Sequence, residues 1–371
     1  MKIVIVGEYS AFSKNLSIGI RKLGHECLVF SWGDVFKKIE PDESTYLVNV
    51  GKYHLFGKPI KGSNLLKQAV SGVKLHNYIK KRFQKEKADV VLVMNMAFLK
   101  ETNNVFVPKF TNSMLLSMCK DPEKIYMSSC GNDYIVNKYL PMFRRPNEYL
   151  MFKKGSGLDK QKKKFDSHIE VTKNIIPIAY DYALAYNYSK KDYKYTVLPT
   201  IPLPFDVCSV ESTNIIRDKI VIMHGVSRPY EKGSYIIISA LERIKEEFSD
   251  KVEVRIVKNL PLKDYLKVIQ ESNIIVDQCY GGTCGMNSIE SLSMGKVVLS
   301  GNIKGYNRVF TDMECPVVDI EPNSEQIYQA IKKLVQEPDL IKEISIKSHD
   351  YAEAVHDCQI VAQKYIDLFS V

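Results

Sequence analysis

No stretch of this chain approaches the ~20 consecutive apolar residues that a bilayer-spanning helix needs, so no transmembrane anchor is expected. The opening Met1-Lys-Ile-Val-Ile-Val-Gly7 lacks the long apolar core and small-residue cleavage site of a signal peptide. It reads as a buried strand, which predicts a cytoplasmic location. Eight cysteines are present without one CxxC pair, a scatter that predicts reduced thiols rather than a disulfide framework or a zinc site. No DxD, HExxH, GxSxG or P-loop sequence occurs, and the loop after Gly7 is not GxGxxG. Neither metal dependence nor dinucleotide binding is therefore expected. The nearest approach to DxD, Asp319-Ile-Glu321, closes a strand and reads as structural. There is no fixed-period repeat and no low-complexity tract.

What is present suffices for two cores: 371 residues, 45% of them hydrophobic, predict two domains. The formal net charge of +9 is local. Residues 51–87 hold ten Lys/Arg against one acid, and residues 142–164 hold eight against two. Within 65–83, Leu65, Ala69, Val73, His76, Ile79 and Phe83 share a helical face, with Lys67, Lys74, Lys81 and Lys85 largely opposite. Such basic segments can lie on an anionic membrane surface, or form a solvated face over a core stripe. No nucleic-acid module accompanies them, so no nucleic-acid partner is expected.

The chain alternates strand and helix. Lys2–Val6, a helix through about Leu23 and Glu26–Ser31 make a βαβ unit, and further strands read at 88–95 and 124–129. Residues 130–190 are less regular and rich in tyrosine and lysine. Residues 199–211 carry three prolines in six residues and read as a linker. Beyond it, strands at 219–224, 252–257, 273–277, 296–300 and 316–320 alternate with helices near 233–248, 262–271 and 285–294. The fold class is therefore α/β, with two Rossmann-like domains facing a cleft. Residues 1–205 form the first domain, 212–350 the second, and 351–371 a helix that returns to the first. In such sheets ligands sit beyond the carboxyl ends of the strands.

Candidate binding residues fall at those ends. Arg228, Lys232 and Gly233 follow the strand that closes at His224; a guanidinium can fork onto phosphate oxygens while an ammonium adds a point charge. The same cations could form a solvated turn, and His224 could face a substrate or be a satisfied edge histidine. In the second loop, Gly281, Gly282 and Gly285 allow close backbone approach, and the following helix would aim its first amides at an anion. Gly282, Thr283, Cys284, Gly285, Met286 and Asn287 are thus assigned to a nucleoside diphosphate, and Glu290, in the first turn or two, to ribose hydroxyls. The alternatives are a tight turn and a helix-dipole acid. A nucleobase could lie against Asn259 and Leu260, unless these form an ordinary βα loop. In the first half, Asp133 follows Ser128-Ser-Cys-Gly131-Asn132 and could bind an acceptor hydroxyl or cap a helix.

These residues carry a resemblance. The second half is similar to the donor domain of GT-B glycosyltransferases, most of all to family 4, the retaining bacterial type. Arg228 and Lys232-Gly233 match that family's Arg and Lys-Gly, Glu290 its second acid, and Gly295-Lys-Val-Val its closing turn and strand. The first acid of the family would fall on Gly282, a departure that leaves the donor sugar to the backbone amides of 282–285. The resemblance implies transfer of a sugar from a UDP- or GDP-linked donor to a glycan or lipid-linked acceptor in surface polysaccharide synthesis. The anomeric configuration would be retained, without a cofactor or metal, peripherally on the inner membrane face. Arg228 and Lys232 would stabilise the leaving diphosphate, and Asp133 would act on the acceptor side. The alternatives are a sugar-nucleotide epimerase of the same fold and a non-catalytic partner subunit.

Overall fold

The computed structural model describes residues 1–31, 39–44, 54–55, 58–59, 63–100, 109–143, 157–258 and 260–371. The first half is built on strands β1 (Lys2–Val6), β2 (Glu26–Ser31), β3 (Glu43–Ser44), β6 (Val90–Val93), β7 (Ile125–Ser129), β8 (Asn174–Pro177) and β9 (Thr196–Val197), with a small hairpin of β4 (His54–Leu55) and β5 (Lys58–Pro59). Its helices are α1 (Phe12–Lys22), α2 (Ser63–Phe83), α3 (Asn112–Met118), α4 (Tyr134–Tyr139), α5 (Leu158–His168) and α6 (Tyr180–Ser189). The second half carries β10 (Ile220–Val226), β11 (Val252–Lys258), β12 (Ile274–Val276), β13 (Val297–Ser300) and β14 (Val318–Asp319). With them come α7 (Pro229–Lys232), α8 (Ser234–Glu247), α9 (Leu262–Gln270), α10 (Met286–Ser293), α11 (Ser324–Gln336), α12 (Pro338–His356) and α13 (Cys358–Ser370).

Two parallel sheets result, one in the order β3-β2-β1-β6-β7-β8-β9 and one in the order β11-β10-β12-β13-β14. The central strands are nearly unbroken apolar runs, KIVIV in β1 and VVLV in β6, and every residue of both is buried. Helices cover both faces of such a sheet, so no alternation is required. The order reverses between β1 and β6 in the first sheet and between β10 and β12 in the second, which opens a crevice at each switch point.

The expected strands and helices of the second half recur within a few residues. In residues 130–190, read as less regular, the structure places α4, α5, β8 and α6. Of the stripe expected on residues 65–83, Ile79 and Phe83 are buried and Ala69, Val73 and His76 are half-buried, while Leu75, outside that stripe, is buried as well. The side chains of Leu65 and Lys67 lie outside the described residues.

Two segments cross between the halves side by side. The proline-rich segment passes the turn between α12 and α13, where the Phe205 amide donates to the His356 carbonyl (2.8 Å) and the Cys358 amide to the Phe205 carbonyl (2.7 Å). After the crossing, α13 returns to the first half. It packs along α1 so closely that a Cβ on Gly19 would lie 1.9 Å from the Cys358 carbonyl oxygen. Tyr126 of β7 meets Phe369 with ring centroids 4.8 Å apart, and Lys124 Nζ donates to the Phe369 carbonyl at 2.9 Å.

Candidate functional site

The strands flanking the second switch point supply the central residues. After β10 the chain makes the one-turn helix α7, where a loop was expected. Pro229 sits at its first position, which suits proline because that amide has no intrahelical partner. Gly233 then adopts φ +69°, joining α7 to α8; a Cβ there would also lie 2.3 Å from Cys279 Sγ. Lys232 is thereby turned inward and is 5% exposed. Its Nζ donates to Asp277 Oδ1 at 2.7 Å.

Asp277 directly follows β12 and is 1% exposed. It also accepts from Asn287 Nδ2 (2.8 Å) and Ser288 Oγ (2.7 Å), at the start of α10. Burial alone would push this carboxyl up, but Lys232, Ser288 and Asn287 outweigh it and hold the group down at about 2. One buried carboxylate thus ties three segments of the site together. Lys232, expected on phosphate oxygens, has an internal partner.

Arg228 stays outside, exposed at the N-terminus of α7, with no ion pair among the described residues. It faces the first half, where its charge acts on Tyr9 and on Cys130. Burial pushes the Cys130 thiol up to about 12, with Glu8 adding to the rise and Arg228 opposing it. The carboxyl ends of β1 and β7 therefore look across the cleft at the turn after β10.

The glycine loop leads into α10. Gly285 caps this helix without a side-chain bond and has open space where a Cβ would sit, so the first amides are approachable. Thr283, Cys284, Gly285 and Asn287 are partly exposed, whereas Gly282 and Met286 are buried. The Cys284 thiol is pushed well up by burial, then by Cys315 and Asp277, which leaves it protonated and inert. Glu290 lies in the second turn of α10, 1% exposed, and its charge acts on Tyr265. The Tyr265 hydroxyl donates to Asn287 Oδ1 at 2.6 Å. That hydroxyl passes so near β10 that a Cβ on Gly225 would lie 2.3 Å from it. Leu260 is half-buried before α9; Asn259 lies outside the described residues.

Gly282 has no room for a side chain: a Cβ would meet Tyr306 Cε2 at 2.9 Å and Ile303 Cδ1 at 3.0 Å. Tyr306 in turn reaches the first half, where its hydroxyl donates to the Phe143 carbonyl at 2.9 Å.

Asp133 has both oxygens engaged. Oδ1 accepts from the Val136 amide (2.9 Å) as the cap of α4, and Oδ2 accepts from the Tyr186 hydroxyl (2.6 Å). Burial raises its carboxyl to about 6 although Tyr186 and Val136 pull it down. Of the two roles open to this residue, the geometry displays the cap. His224 is likewise satisfied: it bonds the Val276 carbonyl (2.7 Å) and Ser234 Oγ (2.9 Å), and burial lowers it to about 4, so it is neutral.

The structure therefore gathers Arg228, Lys232, Gly233, residues 282–287 and Glu290 at one end of the second sheet. It adds Tyr9, from the loop after Gly7 that the sequence places along the cleft, and Asp277, Tyr265 and Tyr306, which sequence reasoning missed. Only Asp277 left a trace, as the lone acid closing an apolar strand.

No protein-family model matches the chain, and no curated protein matches it. Solved structures do. Sucrose-phosphate synthase from Thermosynechococcus elongatus aligns with a TM-score of 0.61 and 11% identity over 100% of this chain and 98% of its own. HepE of Anabaena, in complex with UDP and glucose, aligns with a TM-score of 0.57 and 11% identity over 100% and 99%. The UDP-GlcNAc 2-epimerase from Neisseria meningitidis, bound to UDP-GlcNAc, aligns with a TM-score of 0.51 and 12% identity over 99% of each chain. Likeness at such identity speaks for architecture, and with the two parallel sheets it establishes the GT-B fold for the whole chain.

Proposed function

We propose that this chain is a retaining glycosyltransferase that moves a sugar from a UDP- or GDP-linked donor to a glycan or lipid-linked acceptor in surface polysaccharide synthesis. The acceptor hydroxyl bonds to the anomeric carbon as the bond to the β-phosphate breaks, and the acceptor proton passes to the leaving phosphate. The protein's part is electrostatic: Arg228 and the first amides of α10 stabilise the departing diphosphate, a task that requires no metal. Glu290 takes the ribose hydroxyls. Lys232, through Asp277, fixes the turn that carries Arg228. Asp133 shapes the acceptor side by holding the loop after β7.

The observation that carries this reading is Arg228, an exposed guanidinium at the second switch point, aimed across the cleft. Titration calorimetry with UDP and GDP tests it. Arg228→Ala is expected to weaken binding of the preferred diphosphate by about ten- to a hundredfold, the worth of a charge-assisted hydrogen bond. Undiminished affinity would remove Arg228 from the site.

The likeness to an epimerase supports a second reading, of a sugar-nucleotide epimerase. NMR of a nucleotide sugar incubated alone separates the two, because only an epimerase converts it without acceptor. Peripheral membrane docking rests on the basic segments, much of which lies outside the described residues; Lys160, Lys162 and Lys163 are exposed on α5. Co-sedimentation with vesicles containing phosphatidylglycerol is expected to fall steeply between low and high salt. Equal recovery with neutral vesicles would refute electrostatic docking.

A further inference from the structure

The glycine loop has two dissimilar ends. At its downstream end, beyond Gly285, lie Asn287, Tyr265 and Glu290, the side assigned to the nucleoside. At its upstream end the loop is clamped to the segment after β13. The Ile303 amide donates to the Gly282 carbonyl at 2.9 Å, and a Cβ on Gly301 would lie 1.9 Å from the Gly281 carbonyl oxygen. With the diphosphate on the first amides of α10 and the nucleoside downstream, the group beyond the β-phosphate lies toward Thr283 and Gly282.

Tyr306 stands at that end. Its ring edge occupies the space beside Gly282. Its hydroxyl proton is committed to the Phe143 carbonyl, and its ring meets that of Tyr180 edge-on, with centroids 5.1 Å apart at 67°. The ring is thus fixed from both halves of the molecule, and what it offers a ligand is carbon. A carboxylate there would read a sugar through its hydroxyl protons. A ring whose donor is already spent reads C–H groups, and favours a neutral hexosyl group that turns its less polar face inward.

We propose that Tyr306 is a specificity-determining residue that walls the sugar subsite and recognises a neutral hexosyl group of a nucleoside diphosphate sugar by its C–H face. This rests on the nucleotide-sugar reading above. The test compares each diphosphate with its own sugar conjugate, UDP with UDP-glucose and GDP with GDP-mannose, by titration calorimetry. In the unaltered protein one conjugate is expected to bind more tightly than its parent diphosphate. Tyr306→Ala should erase that preference, reducing the ratio by about three- to tenfold, and leave the diphosphate alone unchanged. Tyr306→Phe, which keeps the ring and loses only the hydroxyl, should retain it. An equal loss for diphosphate and conjugate in Tyr306→Ala, or a phenylalanine variant as poor as alanine, would overturn the proposal. Failure of the unaltered protein to bind any of the four would instead overturn the nucleotide-sugar reading itself.

Discussion

Asp277→Ala is expected to destabilise the protein by about 3–5 kcal/mol, because removing one partner of a buried ion pair leaves the other charge uncompensated. Lys232 has a side chain 6% exposed and Asp277 one 2% exposed, so water cannot easily take over as counter-group. The loss also strips Asn287 Nδ2 and Ser288 Oγ of their acceptor at the head of α10. Urea unfolding followed by circular dichroism would read the change directly. The double variant Lys232→Met/Asp277→Ala should recover part of it, since an apolar pair leaves no orphan charge. A loss under about 1 kcal/mol, the scale of an exposed pair, would mean that the contact is not a structural tie.

The same group predicts a pH dependence. Its folded-state value of about 2 lies below the ordinary aspartate value. The stability it contributes is therefore fully present above about pH 4 and is lost as pH falls from there towards 2. In Asp277→Ala that part of the acid-side slope should be missing.

Gly19→Ala is the second large effect. The glycine lies mid-helix in α1, where alanine would ordinarily be favoured by up to about 1 kcal/mol. Here the added carbon would stand 1.9 Å from the Cys358 carbonyl oxygen and 2.9 Å from Ala362 Cβ. The first of these neighbours is backbone and cannot swing aside, so α13 must lift from α1. A net cost of about 3 kcal/mol or more is expected, at the upper end of overpacking. The damage should be regional, with proteolysis appearing first near Asp357. Gly24→Ala is the control: Gly24 has φ +80° and nothing within 4 Å of a Cβ, so only the backbone term of about 1–2 kcal/mol applies. Equal stability of the Gly19 and Gly24 variants would show that α13 docks more loosely than this packing implies.

The second half was legible because its strands and helices keep clean periods. Ile237, Ala240, Leu241 and Ile244 fall on one face of α8 and are all buried. Residues 130–190 were not, and α6 shows why. It is wedged against α4, β8 and the Tyr306 turn, and buries Asp181, Ala183, Ala185, Tyr186 and Ser189, a set with no single apolar stripe. The candidate site divides in the same way. Arg228, Lys232-Gly233 and the glycine loop announce themselves by local spacing. The partner of Lys232 lies 45 positions away in the chain, and Tyr306 meets the Phe143 carbonyl across 163, so no local pattern could pair them.

The paired crossing at Phe205 and Asp357 has a mechanical consequence. A single linker would let the halves swivel and slide in every direction. Two chains pinned to each other by reciprocal amide bonds cannot slide past one another without breaking both, so the register of the two crossings is fixed at this point.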